Sequence, residues 1–167
     1  MSWSRTRVVG AITTVLLATT TLAACGSDGD KQAEGSAGTA GSTPSGFPVT
    51  LKNTFGETTI TQKPERIVTL GWNAQDVVYA LGETPVGMPK VTYGPTADGV
   101  TAWDGDKFDK SRTTLLDTGD KYPFEKIAAL EPDVILAPYE GFDEATYKTL
   151  SGIAPTVAYP GAPWQTT

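Results

Sequence analysis

The chain is 167 residues long, with 13 Lys and Arg against 19 Asp and Glu, a net charge of −6 and no histidine. That balance argues against a nucleic-acid surface, which needs clustered basic side chains, and the missing histidine excludes His-based triads, histidine acid–base catalysis and histidine metal ligation. Cys25 is the only cysteine, which excludes an internal disulfide, a four-cysteine zinc site and an iron–sulfur cluster built by this chain alone.

Arg5 and Arg7 precede an uncharged apolar run, Val8 to Leu22, which ends in Leu22-Ala23-Ala24-Cys25. A basic start, an apolar core and small residues at the cut describe a secretory signal over residues 1–24. A Cys directly after Leu-Ala-Ala resembles the bacterial lipobox, which implies that Cys25 becomes the lipidated first residue of the mature protein. The alternatives are a plain signal peptide or a membrane-spanning anchor, but the run is short and Thr-rich for a spanning helix. Cleavage removes two positive charges and no negative one, so the mature net charge becomes −8. Residues 25–46 follow as a tether of Gly, Ser, Ala and Thr, too poor in apolar side chains to fold.

The folded region is expected over residues 47–167. Val49-Thr50-Leu51 and Thr58-Thr59-Ile60 flank Asn53 to Glu57, a hairpin pattern. Ile67 to Leu70 is an apolar β-branched strand broken by Gly71 and Trp72. A short helix follows, with Asn73 as N-cap, Asp76 in the first turn, apolar Val77, Val78, Ala80 and Leu81, and Gly82 at its end. Pro85 to Met88 resumes as a strand. Val91 to Arg112 is a long polar loop, of a length that is usually functional or partly disordered. Thr113 to Leu116 is a strand, Pro123 opens a helix with the stripe Phe124, Ile127 and Leu130, and Pro132 stops it. Asp133 to Ala137 is a buried strand, Asp143 caps a helix carrying Tyr147 and Leu150, and Thr156 to Tyr159 is the last strand. This alternation predicts an α/β fold: an open, parallel, Rossmann-like sheet flanked by helices and preceded by a β-hairpin.

Three stretches carry a family resemblance. Pro64 to Met88 resembles the start of the first lobe of iron-siderophore substrate-binding proteins, which collect ligand outside the cell for an ABC importer. Phe124 to Ala137 resembles the family's helix-to-strand passage, Glu-x-Ile-x-x-Leu-x-Pro-Asp followed by an apolar strand. Ile153-Ala154-Pro155-Thr156-Val157 and the nearby Trp164 resemble a third. The likeness covers about residues 47–167 and implies a periplasmic-binding-protein first lobe. It also implies that Glu125 is a surface carboxylate docking against arginines of the ABC permease, a pairing of high geometric specificity. A first-turn Glu that favours the helix dipole is the plainer explanation of Glu125.

In open parallel sheets, ligands bind beyond the carboxyl ends of the strands. Those ends carry Trp72, Tyr93, Trp103, Tyr122, Tyr139, Phe142, Tyr159 and Trp164. Trp72, Tyr93, Trp103, Tyr139, Tyr159 and Trp164 are the ligand-binding candidates, because aromatic faces suit a large, partly apolar chelate. Packing of each loop onto its own lobe is the competing role. Lys90, Lys107, Lys110 and Arg112 are offset by Asp98, Asp104, Asp106 and Asp109, so the sequence does not fix the ligand's charge. Iron would arrive inside its siderophore, so no cofactor and no protein metal ligand is expected, and the aspartates lack calcium-loop spacing. Haem or a cobalamin is an alternative cargo. A lipid-anchored α/β enzyme is the alternative of another class, though a Gly-x-Ser-x-Gly elbow and a phosphate loop are both missing.

Family members carry two lobes joined by a long helix, and these 167 residues hold neither that helix nor a second lobe. The stretch therefore reads as a fragment or a truncated product, and one lobe alone offers half a cleft.

Overall fold

The computed structural model describes residues 46–94 and 99–165. The signal, the lipobox with Cys25 and nearly all of the tether lie outside the described residues, as does Asp98. No helix among the described residues is long and apolar enough to cross a membrane.

Strands β1 (Val49–Asn53) and β2 (Gly56–Ile60) form an antiparallel hairpin that pairs Val49 with Ile60 and Asn53 with Gly56. Its tip docks on the body of the domain. The Phe55 ring stacks 4.7 Å from that of Tyr147, Thr54 N–H donates to the Tyr159 carbonyl at 2.9 Å, and the Thr58 hydroxyl donates to the Thr156 carbonyl at 2.6 Å.

The remaining elements alternate. Strand β3 (Ile67–Thr69) leads into helix α1 (Ala74–Ala80), then β4 (Gly87–Pro89) and β5 (Thr114–Leu116). Helix α2 (Phe124–Ala129), β6 (Val134–Leu136), α3 (Glu144–Ser151) and β7 (Thr156–Val157) complete the domain. The five strands β3 to β7 form one wholly parallel sheet in the order β5-β4-β3-β6-β7. The chain winds outward from β3 to β5, then returns to lay β6 on the other side of β3. The switch point of the sheet is therefore the β3–β6 pair, where a crevice opens beyond the carboxyl ends.

Both faces are covered, which is why the strands read as continuous apolar runs. On one face Val68, Leu70, Leu116 and Ile135 pack with Ile127 of α2 and Leu150 of α3. On the other, Ile67, Val134 and Val157 pack with Val78 of α1. Each fully buried Leu or Ile contributes about 1.5–3 kcal/mol.

Helix α1 differs from its expected pattern in two ways. Its buried side chains are Ala74, Gln75, Val78 and Tyr79, while Val77 and Leu81 are exposed. The i, i+4 pairs Ala74–Val78 and Gln75–Tyr79 set the buried face, and Val77 and Leu81 lie off it. Asn73 occupies the N-cap in a left-handed conformation, φ 62°, with no side-chain capping bond, a backbone state asparagine tolerates better than most residues. Gly82 ends the helix as expected. At φ 82° it lets Gly82 N–H reach the Tyr79 carbonyl and Glu83 N–H reach the Val78 carbonyl, both at 3.1 Å, the paired bonds of a Schellman end. Asp143 caps α3 as expected, its Oδ1 accepting from Thr146 N–H at 2.9 Å.

Candidate functional site

The carboxyl ends of β3 and β6 run on together past the ladder. Leu70 N–H donates to the Leu136 carbonyl at 2.8 Å, and Trp72 N–H donates to the Tyr139 carbonyl at 3.1 Å. Gly71 makes this approach possible. A Cβ there would lie 2.2 Å from the Tyr139 oxygen, and its φ of 78° already favours glycine. Gly141 likewise leaves room for a neighbour on the β6 side, since a Cβ at that position would lie 2.3 Å from the Trp164 indole nitrogen.

A cleft of about 390 Å³ opens over this junction. Trp72 and Tyr93 form one wall, stacked with ring centroids 5.2 Å apart. Trp164 and Phe142 contribute on the β6 side, and the loops after β4 and β5 supply Lys90 and Asp117. A second hollow of about 340 Å³ lies between Trp72, Tyr139 and Trp164. The Tyr139 and Trp164 rings meet edge to face at 5.9 Å, the geometry that ring quadrupoles favour. Trp164 also adopts φ 59°, fixed in part by its N–H donating to the Glu140 carbonyl at 3.0 Å. A bulky residue held in that region is strained, and such strain gathers at binding sites.

Glu140 is the buried charge of the cleft, 5% exposed. Burial pushes its carboxyl above the ordinary glutamate range, while the Gly141 amide, donating to Oε1 at 3.0 Å, and the nearby Tyr122 hydroxyl work against that rise. Burial, reinforced by Glu140, pushes the Tyr122 hydroxyl up as well, so it remains a neutral donor at physiological pH. Among the described residues Lys90 is the single basic side chain in the lining, and Asp117 and Glu140 are its acids.

The structure brings Trp72, Tyr93, Tyr139 and Trp164 together, along with Tyr122 and Phe142. Two of the expected ligand residues lie elsewhere. Tyr159 is a core residue, 4% exposed, whose hydroxyl donates to the Phe142 carbonyl at 2.7 Å. The hairpin tip seals it in, through Phe55 packed edge-on at 5.6 Å. Trp103 is exposed but turns to α1, where its indole N–H donates to Asp76 Oδ2 at 3.0 Å and so leaves the cleft lining. The loop that carries it is anchored by buried Asp104 and Val100, and Val100 packs with Tyr79 and Met88. Asp76 itself is held above the usual aspartate range by burial and by Asp104, with the Trp103 indole opposing. Lys107 and Arg112 travel with that loop and stay out of the lining.

Glu140, Gln75 and Asp117 are among the cleft residues that sequence reasoning does not single out. For Glu140 a signal exists: a carboxylate shortly beyond the buried strand segment that ends at Ala137. For Gln75, a polar residue in a short helix, nothing marks burial.

Comparison with known proteins agrees with this geometry. The family model for periplasmic binding proteins matches residues 67–166. A putative ABC transporter substrate-binding lipoprotein of Bacillus subtilis, YhfQ, is 33% identical over 150 residues, 88% of this chain and 41% of that protein. The Fe(3+)-citrate-binding protein YfmC of the same organism is 34% identical over 102 residues, 61% of this chain and 30% of that one. The structure of Streptococcus pneumoniae PiaA in complex with ferrichrome superposes with a TM-score of 0.65 at 45% identity, covering 70% of this chain and 40% of PiaA. The chain thus spans well under half the length of the relatives it matches. With a family match across most of its folded region and a parallel sheet open at the β3–β6 switch point, the chain belongs to the periplasmic binding protein family.

Proposed function

We propose that the protein captures a ferric siderophore outside the cytoplasm and delivers it to an ABC importer, anchored to the membrane through lipidated Cys25. The observation that carries this reading is the aromatic cleft at the switch point, with Trp72, Tyr93, Tyr139 and Trp164 around a hollow of chelate size. Flat apolar faces bury the organic shell of a chelate, and the few polar groups orient it. The iron is cargo inside the siderophore, so the protein need not supply a metal ligand. The similarity to PiaA, crystallised with ferrichrome, and to a ferric-citrate-binding protein supports the same cargo class.

Titration of the purified protein with ferrichrome, followed by tryptophan fluorescence, tests this. Saturable quenching is expected, because Trp72 and Trp164 would lie against the ferric complex. Unchanged emission, together with no heat of binding in calorimetry for any ferric chelate tried, would sink the reading.

Handover would use Glu125. It stands exposed in the first turn of α2, where a carboxylate can meet a permease guanidinium. Glu125→Arg should abolish uptake into cells while leaving chelate affinity intact, and normal uptake by that variant would remove the role. Cys25→Ala should move the protein from the membrane fraction into the soluble one. Retention at the membrane would argue for a different anchor.

A further inference from the structure

The cleft wall has a definite charge character. Among the described residues its lining holds three side chains that carry charge near neutral pH: Lys90, Asp117 and Glu140. With Glu140 ionised their sum is −1, and with Glu140 protonated it is zero. In neither state is the wall positive. Lys107 and Arg112, which the sequence alone leaves as candidate partners for an anionic ligand, are not in the lining.

Position sharpens the imbalance. Lys90 and Asp117 are exposed, so water screens both. Glu140 is buried at the β6 end of the cleft, where a charge acts through less water and its field reaches further. Trp72, Tyr93 and Trp164 line the same cleft, and Tyr139 lines the hollow beside it. Aromatic faces carry negative quadrupoles, which attract cations and repel anions.

Ferric siderophores differ widely in net charge. Three hydroxamates neutralise Fe³⁺ and give a neutral complex, and a pendant ammonium makes it cationic. Three catecholates leave three negative charges, and citrate-type complexes are also anionic. Resting on the siderophore reading above, we infer that this wall sorts ferric chelates by charge, admitting neutral and cationic trihydroxamate complexes and rejecting polyanionic ones, with Glu140 as the deciding side chain. The Glu140 carboxyl, with the Tyr122 hydroxyl beside it, offers an acceptor, which suits a neutral ligand bearing amide N–H or hydroxyl groups. A positive group on the chelate would be met by Glu140 and by ring faces.

The test is a calorimetric titration of the purified protein at pH 7.4 with ferrichrome (neutral), ferrioxamine B (cationic) and ferric enterobactin (trianionic). The two hydroxamate complexes should bind at least about 100-fold more tightly than the trianionic one, a modest factor for a buried charge facing three like charges. Raising NaCl from about 0.05 to 0.5 M should strengthen the residual binding of the trianion and leave ferrichrome within about twofold, because salt screens only the repulsive pair. Glu140→Gln should improve the trianion by about fivefold or more without the same gain for ferrichrome. Asp117→Asn, at an exposed position where the amide oxygen can still accept from Gly119 N–H, should shift the trianion in the same direction by less. Equal or tighter binding of ferric enterobactin, or no response of its affinity to salt and to both variants, would overturn charge selection while leaving siderophore capture standing. Failure of all three complexes to bind would instead remove the siderophore reading and this inference together.

Discussion

Arg66 and Asp133 are bonded to each other in both directions. Arg66 N–H donates to Asp133 Oδ2 at 3.0 Å, and Asp133 N–H donates to the Arg66 carbonyl at 3.0 Å. Glu65 N–H adds a third bond to the same carboxylate oxygen at 2.8 Å, and the Arg66 guanidinium reaches back to the Leu130 and Glu131 carbonyls at the end of α2. This clamp fixes the starts of β3 and β6, the two strands whose far ends form the cleft. Asp133→Ala should therefore destabilise the domain by about 1–2 kcal/mol, the net loss of two hydrogen bonds from exposed backbone donors to a charged acceptor. Urea denaturation of the variant would show it, and a midpoint unchanged from wild type would mean that water replaces the carboxylate freely.

The two cleft glycines make opposite predictions. A methyl group at Gly71 would meet backbone, the Tyr139 carbonyl, which cannot move without parting β3 from β6. Its positive φ adds a cost of its own, so Gly71→Ala should lower stability by about 2 kcal/mol or more. A methyl at Gly141 would meet the side chain of Trp164, which can swing away. Gly141→Ala should leave the thermal midpoint near wild type but weaken ferrichrome binding by about tenfold, through loss of one aromatic face. Calorimetry and a binding titration on the pair separate the cases. Equal loss of stability in both would show that the Trp164 indole is as fixed as the backbone.

The aromatic residues divide in the same way. Trp72 is half exposed in the cleft lining, so if it meets the proposed ligand, Trp72→Ala should cost about 1–3 kcal/mol of binding and little stability. Tyr159 serves the core, so Tyr159→Phe should cost about 1 kcal/mol of stability by orphaning the Phe142 carbonyl. It should leave chelate affinity unaltered. A drop in affinity for Tyr159→Phe, with Tm unchanged, would return Tyr159 to the cleft.

The contrast between Trp72 and Tyr159 also shows what can be read from a sequence. Both follow a parallel strand, and strand-end position is enough to bring Trp72, Tyr139 and Trp164 to the cleft. It cannot separate them from Tyr159, because the hairpin residue Phe55 that covers Tyr159 lies about a hundred residues away along the chain. The strands themselves are legible, since a sheet covered on both faces needs continuous apolar runs such as Ile67 to Leu70 and Val134 to Ala137. Strand order is not. The β3–β6 pairing depends on contacts such as Ile67 beside Val134, which no local pattern encodes. Trp103 escapes strand-end reasoning for a related cause: its partner Asp76 sits in α1, and the loop between them carries no periodicity to say which way it folds.

Glu140 connects stability to pH. Burial raises its folded-state pKa above the ordinary 4.5, whereas in the unfolded chain it titrates near that ordinary value. Between the two values the folded protein keeps a proton that the unfolded chain has lost. Stability therefore falls as pH rises through this window, and the full contribution is present only below about 4.5. Glu140→Gln cannot ionise, yet its side-chain oxygen still accepts from Gly141 N–H. The variant should match wild type near pH 4, then become the more stable of the two as pH rises, and the gap should level off once wild-type Glu140 is fully ionised. Taking the difference between the two proteins cancels the titration of groups they share, including Asp117 and Asp143. Thermal midpoints measured across pH 4 to 8 decide the matter. A gap that stays constant with pH would mean that Glu140 titrates alike in both states, and that Gly141 and Tyr122 fully offset its burial.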